Sequence, residues 1–337
     1  MELAEMDLAV RDFLAGRLNG EECRLEKLAG DASTRMYFRV HCVPKTLILM
    51  RMGEPDPAPA FVSVQQVLAR AGVPVPAIHA FDPAAGLMLL EDFGDRTLEQ
   101  AARGADEKTW IALYSEALRV MADIQFRPLK QRASSSCPCF SLAFDVEKLM
   151  FEMDFFIAHT LENWKRAEFA PGEKQALRAE LEALCRELAA EPRVLCHRDY
   201  HSRNLMALPG GALGVIDFQD ARMGPAQYDL VSLLHDSYVD MPAPVREKLY
   251  GMYLERHERE TGGGADPARF REVYLLMILQ RNLKAAGSFA YLDCVKNMGR
   301  YLARMPQCLG HVRDAFEQLA RMGTLRGLLA KHLPEIG

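Results

Sequence analysis

The sequence predicts an α+β fold in two lobes, a small β-rich one followed by a larger helical one. Three observations predict it. Short β-branched and aliphatic runs, separated by turns, crowd the stretch from about residue 20 to residue 92. Beyond residue 95, apolar residues recur at three- and four-residue spacing, the mark of amphipathic helices. Within that helical part lies one dense polar block, from Cys196 to Asp220, flanked by short apolar runs. The lobes are therefore expected at residues 1–92 and 93–337.

Taken in order, residues 9–18 read as a short helix. Residues 24–28 and 36–42 read as strands, with a turn over 29–34 between them. Pro44-Lys45 turns the chain into a further strand at 46–50. Pro55, Pro57 and Pro59 make 53–60 a loop, since proline cannot donate to a ladder or a helix interior. Residues 61–71 form a helix with Phe61, Val64, Leu68 and Ala71 on one side, ended by 72–76. Residues 87–91 are a buried strand that runs into Asp92-Phe93-Gly94. Trp110, Tyr114, Ala117, Leu118 and Met121 mark a long helix, and Leu177, Leu181, Leu184 and Leu188 another. Residues 128–140 are irregular. Val194–Cys196 and 213–216 are short strands beside the polar block. Later helices follow Val245, Leu249, Met252 and Tyr253, then Phe270, Val273, Tyr274, Met277 and Ile278, then Phe316, Leu319, Met322, Leu325 and Leu329. Gly262-Gly263-Gly264 separates the first two of these, and no internal repeat is found.

Composition excludes several classes. Of 337 residues 49% are hydrophobic and 26% charged, ample for a packed core and unlike disordered or fibrous chains. A net charge of −5 argues against non-specific nucleic-acid binding, which leans on cationic surface. No apolar run reaches the roughly 18 residues of a membrane span. Glu2, Glu5 and Asp7 stand where a secretory signal carries basic residues, so a cytoplasmic protein is expected. Eight dispersed cysteines, with Cys137-Pro-Cys139 the only close pair, suit free thiols rather than a zinc site or a disulfide framework. Nothing marks an obligate protein partner.

The polar block carries the chemistry. In Cys196-His197-Arg198-Asp199-Tyr200-His201-Ser202-Arg203-Asn204 an aspartate stands five residues before an asparagine. Val215-Ile216-Asp217-Phe218-Gln219-Asp220 then places a second aspartate directly after an apolar strand. Residues 205–207, a turn at Pro209-Gly210-Gly211 and residues 213–216 make a hairpin that returns Asp217 to Asn204. The pattern resembles the catalytic and metal loops of the kinase fold. Phosphoryl transfer needs an in-line hydroxyl and a carboxylate to take its proton, the role that Asp199 fits. Mg2+ wants hard oxygen ligands, which the Asn204 amide and the Asp217 carboxylate supply. His197 is read as structural, packed beneath the metal loop. Asp220 either adds a ligand or orients the loop, with the second favoured. Asp229, opening an apolar helix, either braces the catalytic loop or caps that helix.

From about residue 25 to 305 the chain resembles the aminoglycoside-phosphotransferase-like branch of the kinase superfamily. Within that branch it is most similar to the bacterial anomeric N-acetylmuramate/N-acetylglucosamine kinases of cell-wall recycling. The matching stretches are residues 30–39, 89–97, 197–200, 217–221, 228–234 and 280–285. The resemblance implies a protein-kinase-like fold with ATP between the lobes, Mg2+, and a small-molecule sugar as acceptor. It places a phosphate-covering loop at Gly30, Ser33, Thr34 and Arg35, and an adenine hinge at Glu91 and Phe93. Glu152, with Glu147 and Asp154, and Gln280 with Lys284 are its acceptor-side candidates. A solvated helix face for the acids and ordinary ion pairing for the cations are the plain alternatives. Gln280 and Lys284 are expected to share a helix face, with Arg281 turned away by about 100°.

The sequence departs from protein kinases at the third strand. Met50 falls near the position of their lysine, and the helix 61–71 offers Gln65 and Gln66 but no glutamate. Arg35, Arg51 and Arg203 are the candidates for the missing charge. No activation segment follows Asp217, which argues against a regulated protein kinase. An antibiotic-modifying phosphotransferase and a nucleotide-binding pseudokinase module are the competing readings.

Overall fold

In the computed structural model, described for residues 7–18, 23–28, 35–42, 45–54, 56, 59–263 and 266–337, the chain adopts the two-lobed α+β architecture that its sequence predicts. Helix α1 (Leu8–Ala15) precedes strands β1 (Arg24–Lys27), β2 (Met36–Cys42) and β3 (Lys45–Arg51). Helix α2 (Ala60–Arg70), β4 (Ile78–Asp82) and β5 (Leu87–Glu91) complete the lobe. The strands form one antiparallel five-stranded sheet in the order β1-β2-β3-β5-β4. Strand side chains alternate between faces, so the sheet is lined on both sides. Leu25, Val40, Leu49, Leu87 and Leu89 pack on Val10, Phe13 and Leu14 of α1. Met50, Met88 and Leu90 face the other way and join the main core with Phe61 and Leu68 of α2.

The second lobe is built on helices α3 (Leu98–Ala102), α4 (Glu107–Phe126), α5 (Val146–Phe156) and α6 (Glu173–Ala189). Next come strands β6 (Arg193–Cys196), β7 (Leu205–Ala207), β8 (Leu213–Val215) and β9 (Arg222–Pro225). Helices α7 (Gln227–Leu234), α8 (Ala243–Thr261), α9 (Pro267–Cys294), α10 (Met305–Gln318) and α11 (Gly323–Ala330) close the chain. Side-chain caps start the helices where the sequence supplies them: Asp106 accepts from Thr109 N at 2.8 Å, and Asp145 from Lys148 N at 2.8 Å. The 28-residue α9 is apolar nearly all round and is the buried mast of the lobe, which is why polar residues on it matter.

Four features differ from expectation. Strand β4 (Ile78–Asp82) is only partly buried and carries no run of apolar residues to announce it. Strand β9 contains Gly224 and Pro225, yet it pairs with β6 along its length. Residues Ile157–Trp164 continue α5 as a π-helix. The helix read over Phe316–Leu329 is two, broken where Leu319 leaves helical geometry at φ −120°, ψ 69°. No helix among the described residues is long and apolar enough to cross a membrane.

Candidate active site

A cavity of 860 Å³ opens between the sheet and the helical lobe. One end is walled by Ile48, Leu90 and Phe93, the middle by Asp199, Asn204 and Asp217, and the far end by Tyr238, Tyr291 and Tyr301. The middle follows from one piece of local folding. Strand β6 delivers the chain into residues 197–204, and the hairpin β7–β8 brings it back. Ile216 N donates to Asn204 O at 3.0 Å, closing the hairpin mouth, so Asn204 Nδ2 lies 3.4 Å from Asp217 Oδ2. Arg198 at φ 86° and Asp217 at φ 62° sit in the left-handed region, a cost of order 1–3 kcal/mol each that the surrounding bonds must hold.

Those bonds come from buried acids. Asp229 accepts from His197 N at 2.7 Å and from Arg198 N at 3.0 Å, so it braces the loop. Burial pushes its carboxyl up to about 6, against the favourable influence of His197 and the two backbone donors. Asp236 accepts from Ser202 N at 2.9 Å and Ser202 Oγ at 2.5 Å, and fixes the loop's middle. Tyr200 Oη donates to Ala117 O at 2.8 Å. His197 Nε2 donates to Ile216 O at 2.9 Å and lies buried beneath the loop that Asp217 opens. Asp220 pairs with Arg198 at 2.9 Å, which ties the two loops together.

Asp199 faces the cavity with three cations near it. Lys284 Nζ stands 2.8 Å and Arg281 Nη2 3.4 Å from Oδ1, and Arg198 Nε stands 3.8 Å from Oδ2. Burial opposes its ionisation, yet Lys284, then Arg198 and Arg281, hold its carboxyl well below the usual carboxylate range. Asp217 moves the other way. Burial raises it most, and the Asp199 charge adds to the rise, while Gln219 and Arg35 oppose it.

This donor set suits Mg2+. Among the described residues no group of three or more His, Cys, Asp or Glu side chains could enclose a metal. One carboxylate and one amide are instead what Mg2+ takes when it keeps waters and phosphate oxygens as its other ligands. Asn204 Nδ2 donates to Asp199 O at 3.0 Å, which leaves Oδ1 as the amide's acceptor. Two carboxylates that disfavour each other's charge are the electrostatic setting that a divalent cation relieves.

The other expected residues divide. Gly30, Ser33 and Thr34 lie outside the described residues. Glu91 lines the cavity, but its N and carboxylate serve the sheet: N donates to Ala77 O at 2.9 Å, and Oε2 accepts from Ala77 N at 3.1 Å. The Phe93 ring lies against Gly214, where an added Cβ would come within 2.4 Å of it. Glu152 and Gln280 are not brought to the cavity. Gln280 Nε2 donates to Glu152 Oε2 at 3.0 Å, and both are buried where α9 meets α5. Glu147 is exposed, and Asp154 pairs with Arg178 at 2.8 Å on the surface. Arg281, expected to turn away, reaches Asp199 beside Lys284, because three residues of helix separate them by only about 60°. That i, i+3 spacing was the available signal.

At the third strand, Met50 is fully buried in the core. The Phe61 ring of α2 sits 4.8 Å from that of Phe218, so α2 meets the loop that Asp217 opens through an apolar contact. Of the three arginine candidates, Arg51 pairs with Asp7 at 3.0 Å, and Arg203 bonds Glu99 at 3.0 Å over the Tyr238 ring. Arg35 is the one whose charge favours the ionised form of Asp217.

Comparison with known proteins identifies the family and the fold. Residues 24–273 match the family described as "Phosphotransferase enzyme family". The N-acetylmuramate/N-acetylglucosamine kinase of Pseudomonas aeruginosa is 31% identical over 323 residues, covering 91% of this chain and 88% of that protein. The enzyme of the same name from Neisseria meningitidis is 31% identical over 310 residues, covering 90% and 89%. Among solved structures, a putative aminoglycoside phosphotransferase from Ralstonia eutropha superposes with a TM-score of 0.66 at 16% identity, over 93% of this chain and 98% of that one. A choline/ethanolamine kinase family protein from Mesorhizobium loti does so with 0.61 at 19%, over 95% and 98%.

Proposed function

Since the chain belongs to the phosphotransferase enzyme family, we propose that it is an ATP- and Mg2+-dependent kinase that phosphorylates the anomeric hydroxyl of an N-acetylated amino sugar. The observation that carries this reading is the meeting of Asp199, Asn204 and Asp217 in one cavity large enough for a nucleotide and a sugar together. Adenine fits between Ile48, Leu90 and Phe93, and the acceptor fits the aromatic far end. Asn204 and Asp217 would hold Mg2+, which neutralises charge on the transferred phosphate when bound. Asp199 accepts the proton of the attacking hydroxyl. The fixed loop keeps that carboxylate in place while the reaction proceeds.

The family resemblance points to N-acetylmuramate or N-acetylglucosamine as substrate. Charge supports it: Arg203, Arg281 and Lys284 all line the acceptor side, a poor setting for a polycationic antibiotic. The test is turnover of N-acetylmuramate, N-acetylglucosamine and kanamycin, with phosphorus NMR of the product. A glycosyl phosphate from either sugar is expected. Turnover of kanamycin alone, or of nothing, sinks the proposal.

A further inference from the structure

Helix α9 reaches into the catalytic loop with two cations, and both address one oxygen. Lys284 Nζ is 2.8 Å and Arg281 Nη2 3.4 Å from Asp199 Oδ1. On Oδ2 the neighbouring cation is Arg198 Nε at 3.8 Å, beyond hydrogen-bond range. The Lys284 and Arg281 side chains are only 13% and 11% exposed, so water competes weakly for them. Arg281 is itself steered: its Nε donates to Ser232 Oγ at 2.9 Å, and Ser232 lies on α7, whose Asp229 holds the backbone of the same loop.

We propose that Lys284 and Arg281 are positioning residues that hold the Asp199 carboxylate by Oδ1 and so present Oδ2 to the acceptor hydroxyl. The proposal rests on the kinase reading above and deepens it. In the step concerned, the acceptor oxygen bonds to phosphorus, the bond from phosphorus to the departing ADP breaks, and the hydroxyl proton ends on Asp199 Oδ2. The Lys284 contact, at 2.8 Å, has the length of a charge-assisted bond, which fixes direction as well as energy, and Arg281 at 3.4 Å adds its charge on the same side. They also bring to the centre, from the helical lobe, positive charge that the sheet does not supply at Met50. A Lys284 committed to Asp199 is not a ligand of the acceptor, which reverses its reading from sequence as an acceptor-side candidate.

The test is steady-state kinetics of Lys284→Gln, Lys284→Arg and Arg281→Lys with N-acetylmuramate and N-acetylglucosamine. Calorimetry of Mg-ATP binding and the rate of acceptor-free ATP hydrolysis complete it. Lys284→Gln is expected to lower kcat about 100-fold, the usual cost of misplacing a reacting group by about 1 Å. KM should move less than about threefold, and equally for the two sugars. Lys284→Arg, which keeps the charge, should recover to within about tenfold of the parent. Arg281→Lys is the milder variant should Lys284→Gln fold poorly, and it should lower kcat with KM unchanged. A KM that rises only for the carboxylated sugar makes Lys284 an acceptor ligand and overturns the proposal. Lost Mg-ATP affinity makes Lys284 a phosphate ligand and overturns it equally, as does unchanged kcat in every variant. If the parent protein phosphorylates no sugar, the kinase reading fails by itself. Transfer to water then decides the positioning role, since Lys284→Gln must still slow it.

Discussion

The two walls of the cavity are held by different forces. On the helical side, the loop 197–204 is pinned through directed bonds to buried carboxylates, Asp229 at one end and Asp236 in the middle. On the sheet side, Ile48 and Leu90 present an apolar surface backed by the buried Met50, and beside it Arg39 bonds Asp92 at 2.6 Å and Asp95 at 2.8 Å. The difference teaches where precision is needed. Proton and phosphoryl transfer tolerate little misplacement, so their residues are fixed from several helices at once. A planar base needs a slot of the right shape, which apolar side chains make without directed bonds.

The sharpest way to break the comparison is at the helical wall. Asp199→Asn should retain Mg-ATP binding and lose turnover by roughly 10²–10⁴-fold, the usual worth of a positioned base. Asp217→Ala should remove both Mg-dependent nucleotide binding and activity, because the carboxylate beside the phosphates is the ligand hardest to replace. Calorimetry with and without Mg2+ separates the two. Near-parental kcat in Asp199→Asn would mean that the wall is scaffolding.

The edge of the sheet wall comes next. Arg39 is 10% and Asp92 3% exposed, so Arg39→Met strands a buried carboxylate and should cost about 3 kcal/mol of stability. The cost carries a pH signature. Burial opposes ionisation of Asp92, but the bonds from Arg39, Gly94 N and Thr46 outweigh it and hold its carboxyl below the ordinary value. A group lowered in this way stabilises the fold fully above its unfolded value, and that contribution is lost as pH falls through its folded one. The gap between parent and Arg39→Met should therefore be widest near pH 7 and narrow below about pH 4. Melting curves across that range would show it, and a gap that widens in acid would overturn the assignment.

What the sequence let one read follows the same division. The block 196–220 was legible because its chemistry is contiguous: Asp199, Asn204 and Asp217 are separated only by a hairpin whose turn, Pro209-Gly210-Gly211, is itself a local signal. The strands β2, β3 and β5 declared themselves by apolar content, and β1 by the turn signal that follows it in the sequence. Strands β4 and β9 did not, because their pairing depends on neighbours distant in sequence rather than on their own residues. The acceptor side was misread for a related reason. Gln280, Arg281 and Lys284 differ in what they face only through the packing of α9 against α5 and α7, and a helix buried all round has no polar face to announce. Gln280 went to Glu152, and Arg281 to Ser232 and Asp199.

A smaller effect is expected where the walls touch. The Phe93 ring occupies the space over Gly214 of β8, where a Cβ would come within 2.4 Å of it. Gly214→Ala must displace the ring or the hairpin, at a cost of about 1–3 kcal/mol for overpacking. Because Phe93 lines the part of the cavity proposed above for adenine, KM for ATP should rise several-fold with kcat held. A rise confined to the sugar KM would place Phe93 elsewhere in the reaction.

The smallest effect is expected at Arg51, and it sharpens the comparison most economically. Arg51 follows Met50 on β3, and side chains alternate along a strand, so the two point to opposite faces of the sheet. Its partner Asp7, 3.0 Å away, is the residue that caps α1 on the outer face. The pair is 40% and 46% exposed. At that exposure water and salt screen the attraction, so Arg51→Ala should change stability by less than about 1 kcal/mol, and less still at high ionic strength. Turnover and both KM values should match the parent, since the guanidinium lies across the sheet from the cavity. A tenfold fall in kcat would mean that Arg51 crosses to the phosphates during the reaction. It would then supply from the sheet the charge attributed above to α9 and Arg35.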